Sequence, residues 1–149
     1  MKKILIIHNK YQNIGGEDVA VENEIEILKK YYLVEVLYFK NDKVLTFNQL
    51  ISFATNNNSE SNNLLKHKIS SFEPDLVYIH NTWFKASLGI FKILEKLDIK
   101  TFIKLHNFRY ICTSTLSSAK HLGGEAFCKA CGYKRKSLML LNTYFVESF

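Results

Sequence analysis

Short unbroken apolar runs alternate along this chain with longer stretches in which apolar residues return at helical spacing. Lys3 to His8 is the first run. It is continuous rather than alternating, as expected of a strand covered on both faces. Glu17 to Tyr31 follows as a predicted helix, with Val21, Ile25, Leu28 and Tyr32 on one face. Its acids Glu17, Asp18 and Glu22 sit early and Lys29 and Lys30 late, which complements the helix macrodipole. Leu33 to Phe39 reads as the second strand, and Lys43 to Ala54 is ambiguous, with a short helix as its nearest fit. Asn56 to Asn63 is polar throughout and reads as a surface loop within the domain. A helix over Leu64 to Phe72 ends before Pro74, and Leu76 to His80 is the next strand. Phe84, Leu88, Phe91 and Leu94 predict a helix from Phe84 to Leu97. Thr101 to Leu105 is a strand running into His106, and Ser137 to Phe145 begins one more helix.

Strands alternating with helices of this size imply an α/β fold: a parallel sheet with helices on both faces. The 149 residues suit one domain, 1–149, and a content of 47% hydrophobic and 13% aromatic residues can fill its core. In such sheets ligands sit beyond the carboxyl ends of the strands. Three of the five histidines, His8, His80 and His106, fall at predicted strand ends. A lone histidine there is ordinarily a satisfied core or surface residue; three at one edge point to ligand contact by at least one.

The net charge of +6 is spread along the chain, with one local cluster at Lys134-Arg135-Lys136. A solvated surface accounts for most of it. The sharper use is attraction to an anionic membrane, sugar phosphates or nucleic acid. Ile4 to Ile7 is too short for the apolar core of a signal peptide, about 7–15 residues. No run approaches the roughly 20 apolar residues of a membrane span. The expectation is a cytoplasmic chain, with peripheral contact at the inner membrane face as one use of its charge.

All three cysteines, Cys112, Cys128 and Cys131, fall in one C-terminal segment. Their odd number rules out complete disulfide pairing within the chain. With His121 as fourth ligand they form a candidate structural zinc site. Buried thiols and a reversible disulfide are the competing readings.

Gly15 and Gly16 lie between the first strand and the first helix, where glycine lets backbone N–H groups approach a phosphate. The surrounding residues match neither the dinucleotide fingerprint nor a P-loop. A plain tight turn explains the pair equally well.

Taken together, Gly15-Gly16-Glu17 resembles the Gly-Gly-x-Glu loop of family 4 glycosyltransferases. His80-Asn81-Thr82-Trp83-Phe84 resembles the histidine-to-phenylalanine turn after a mid-domain strand of that family. Leu105-His106-Asn107-Phe108-Arg109-Tyr110-Ile111-Cys112 resembles the His-Asn-x-Arg-x-x-Cys block of a bacterial branch, in which a cysteine pair follows. The resemblance implies a Rossmann-like, doubly wound sheet forming the N-terminal, acceptor-side half of a GT-B architecture. It implies transfer of a sugar from a nucleotide-sugar, with retention, to a polysaccharide or lipid-linked acceptor. His106 would contact the transferred sugar as the catalytic histidine. Gly15, Gly16 and Arg109 would meet the donor phosphates, and His80 and Asn81 would line the acceptor side. No cofactor is required for catalysis in this scheme. The donor-binding C-terminal domain lies outside the matched region. The chain thus reads as an incomplete N-terminal domain, inactive in isolation, whose partner is that second domain. Two other classes remain open: a zinc-stabilised nucleic-acid-binding module, and a non-catalytic Rossmann-like partner subunit. Nucleic acid is not an expected partner of the first reading.

Overall fold

The computed structural model describes residues 1–10, 15–41, 51–52, 55, 57–83 and 85–106. Its elements belong to one compact unit, Met1–Lys104; Leu105 and His106 are the described residues of a second, Leu105–Phe149. The expected helices at 43–54 and 137–145 fall wholly or mostly outside the described residues.

Four strands form an all-parallel sheet: β1 (Lys3–Lys10), β2 (Leu33–Lys40), β3 (Leu76–Asn81) and β4 (Thr101–Ile103), in the order β2-β1-β3-β4. Three described helices connect them: α1 (Gly16–Lys29), α2 (Ser59–Phe72) and α3 (Gly89–Lys96). The result is a Rossmann-like α/β fold. Strand β1 is central, and its continuous apolar run is explained by burial of every residue from Ile4 to Asn9. Ile4 and Ile6 pack beneath Val21 and Ile25 of α1. Leu5 and Ile7 turn to the other face, joining Val77 and Ile79 beneath Leu65 and Phe72 of α2 and Ile90, Ile93 and Leu94 of α3. Alternate side chains of one strand therefore feed two separate cores.

Three expected boundaries need correction. The polar run from Asn56 to Asn63 is not wholly a loop, because α2 already begins at Ser59. The Asn58 side chain accepts from the Ser61 amide at 3.2 Å, which caps the helix. Ser61 is fully buried and its hydroxyl donates to the Lys85 carbonyl at 2.5 Å, so its polarity serves an internal contact. Conversely, α3 starts at Gly89 and not at Phe84. The amides of Lys85 and Ala86 donate to the side chains of Asn41 and Asn9, at 3.2 and 3.3 Å. Ser87 then takes a left-handed φ of 59°, which no helix turn can include. Strand β4 ends at Ile103, although the Lys104 amide adds one more bond to the Ile79 carbonyl.

A candidate site at the carboxyl edge of the sheet

Chain order reverses between β1 and β3. From β1 the chain moves outward to β2, then returns across β1 to lay down β3. Such a switch point opens a crevice at the carboxyl ends of the strands. The pairing is irregular there: Ile7 lies opposite Ile79 but His8 opposite Asn81, so β3 carries His80 as an extra residue. Bulges of this kind re-aim side chains.

His8 and His80 meet on the α1 side, with ring centroids 6.3 Å apart. His8 is fully buried, and its Nε2 lies 2.9 Å from Asp18 Oδ1 in the first turn of α1. A carboxylate only accepts, so Nε2 carries the proton. Burial is the largest influence on His8 and holds its pKa below the usual value, although the Asp18 hydrogen bond pulls the other way. The ring is therefore neutral near pH 7, and Nδ1 keeps its lone pair. That nitrogen is buried and has no hydrogen-bond partner among the described residues. The second Asp18 oxygen accepts from the Gly15 amide at 2.8 Å. One carboxylate thus caps α1 and orients His8.

His80 is almost as deeply buried and lies against the Tyr78 ring, at 4.4 Å between centroids. Its Nε2 is 3.8 Å from Glu24 Oε2, beyond hydrogen-bonding range and an ion pair only when the ring is protonated. Glu24 also accepts from the Tyr78 hydroxyl at 3.0 Å and from Lys104 Nζ. Burial raises the Tyr78 pKa. At the rim, Lys10 Nζ lies 3.9 Å from the Tyr38 ring centre and 3.0 Å from Glu22, which also accepts from the Tyr38 hydroxyl. The Lys10 bond holds the Glu22 carboxyl below its usual value; burial first, then Glu22, raises Tyr38.

Asn81 has a different part. Its amide donates to the Asn9 carbonyl at 3.2 Å, and its oxygen accepts from the Trp83 amide at 3.0 Å. Asn9 donates to Asn41 at 3.0 Å, and Asn41 donates to the Trp83 carbonyl at 3.3 Å. These three asparagines brace the turn after β3. Comparisons with protein-family models, curated proteins and solved structures find no match to this chain. What the edge can do must come from its own side chains.

The structure therefore brings together Gly15, Gly16, His80 and Asn81 of the expected site at one edge. Gly16 is exposed, and a Cβ there would meet nothing within 4 Å. His106 is half-buried and belongs to the second unit. Arg109, His121, Cys112, Cys128 and Cys131 lie outside the described residues. Among the described residues no group of His, Cys, Asp and Glu is arranged to hold a metal, and no helix is long and apolar enough to cross a membrane. Sequence reasoning missed Asp18 and Glu24 as partners of the strand-end histidines. Asp18 stands three residues after Gly15, the spacing of a capping box, and that was the available signal for an inward-turned carboxylate.

Proposed function

We propose that this chain is the acceptor-side half of a retaining glycosyltransferase that uses a nucleotide-sugar. The observation that carries the reading is the switch point between β1 and β3, where His8, the bulged His80 and the start of α1 share one carboxyl edge. That edge suits a ligand with hydroxyls and phosphate. Neutral imidazole bonds hydroxyl groups without adding permanent charge, and a helix start favours an anion. The Gly15 amide is already committed to Asp18, so donor phosphate approaches over exposed Gly16. Asn81 acts through the turn it braces, while His80 faces the acceptor side. By the resemblance, His106 would contact the transferred sugar and Arg109 would pair with phosphate, since such chemistry needs donors near developing charge.

The test is sugar transfer by the reading frame expressed to its natural stop. Radiolabelled nucleotide-sugars are offered with lipid-extracted and polysaccharide acceptors. The expected result is donor-dependent labelled product, reduced about a hundredfold in His106→Ala with an unchanged melting midpoint. Unchanged turnover removes His106 from the mechanism, and no transfer from any donor overturns the reading.

A further inference from the structure

Helix α1 carries apolar side chains on two faces. Val21 and Ile25 enter the core, with Leu28 packed against them. On the opposite face Val19, Asn23 and Ile27 follow one another at four-residue spacing, and Tyr31 continues the row just past the helix. Val19 is 52% exposed, Ile27 55% and Tyr31 68%. Asn23 is exposed between them. Single exposed apolar residues are ordinary. A row at i, i+4, i+8 and i+12 is one continuous strip, on the face where a solvated helix ordinarily places charge. Three acids of α1 are engaged elsewhere: Asp18 with His8, Glu22 with Lys10 and Glu24 with Tyr78.

The row is self-complementary. Turned about a two-fold axis at Asn23, it sets Val19 of one copy against Ile27 of the other, with the two α1 helices antiparallel. The residue on such an axis meets itself. An asparagine amide both donates and accepts, so it pairs with its own copy, as neither a lysine nor a carboxylate could. Tyr31 of one copy comes beside Gly16 of the other, where a Cβ would meet nothing within 4 Å and a ring finds room. The antiparallel arrangement opposes the two macrodipoles and brings the basic end, Lys29 and Lys30, towards the acidic start. An anionic bilayer fits this face less well, because exposed Glu26 borders the row.

We infer that this face of α1 joins a second copy of the chain in an antiparallel, two-fold dimer. N–H groups at a helix start point along its axis, so a contact on its side leaves the carboxyl edge open. The dimer does not depend on the sugar-transfer reading.

The test is sedimentation equilibrium of the full chain. One helix pair is a small interface, so dissociation is expected at roughly 10–100 µM, with the mass rising from one chain to two across that range. Ile27→Glu should weaken the dimer at least about thirtyfold, the scale of a central interface residue. Asn23→Lys sets two ammonium groups on the axis and should weaken it at least about tenfold. Leu64→Glu, on the exposed side of α2 across the sheet, should leave it unchanged. All three side chains are exposed, and an unchanged melting midpoint confirms that each variant folds. A chain that stays monomeric throughout overturns the proposal. So does a dimer lost in Leu64→Glu but kept in Ile27→Glu, or one indifferent to Asn23→Lys. Binding to phosphatidylglycerol vesicles that Ile27→Glu abolishes, without self-association, also overturns it and makes the face a membrane contact.

Discussion

His8 is held between two opposing influences. Its carboxylate partner Asp18 favours a charged ring, while complete burial favours a neutral one, and burial is the larger. The folded-state pKa therefore lies below the unfolded value of about 6.5. Between those two values the unfolded chain binds more protons than the native one. The stability contribution is accordingly full above about pH 6.5, is lost as pH falls through the folded value, and is flat below it. Urea midpoints measured from pH 8 to 5 should fall more steeply for the wild type than for His8→Gln, the difference isolating His8 from the other histidines. Parallel curves would mean that the ring does not titrate as its burial requires. The sequence made His8 legible as a strand-end histidine, but not its partner. A carboxylate in a first helical turn ordinarily faces water, and only folding against β1 turns Asp18 inward.

At the scale of elements, β1, β2, β3 and α1 were legible because short, mainly apolar runs and one amphipathic stripe fix them. The two helix starts that differ from expectation lie where polar side chains bond backbone. The start of α2 looked like a loop because its first turn holds Ser59, Glu60, Ser61, Asn62 and Asn63, yet Asn58 caps it and Ser61 ties it to Lys85. The start of α3 looked helical because Phe84 and Leu88 continue its stripe. There the left-handed Ser87 breaks the turn, and Asn9 and Asn41 hold the Lys85 and Ala86 amides through long-range contacts that have no local signature. If the cap fixes the start of α2, Asn58→Ala should lower stability by about 1 kcal/mol, read as a shifted urea midpoint with an unchanged slope. A change of a few tenths or less would show that Ser61 alone anchors the turn.

At the scale of the whole unit, alternation of strands and helices was enough to read a parallel sheet, but not the order β2-β1-β3-β4, because strand neighbours are set by contacts between distant segments. That order decides the site, since only the adjacency of β1 and β3 sets His8 beside His80. It also sets a gradient of stability. β1 is bonded on both sides and buried from Ile4 to Asn9; β3 is bonded to β1 and β4. Among the described strands, β2 and β4 are edges, and Leu33 of β2 with Phe102 and Ile103 of β4 are about half exposed. Local opening follows contact and burial. Native-state amide exchange should therefore be slowest in β1 and β3, faster in β2, and fastest in three-residue β4. Because His8 and His80 ride on the two slowest strands, their geometry should survive openings that expose either edge. Exchange in β3 as fast as in β4 would contradict this order and leave the paired histidines without a rigid base.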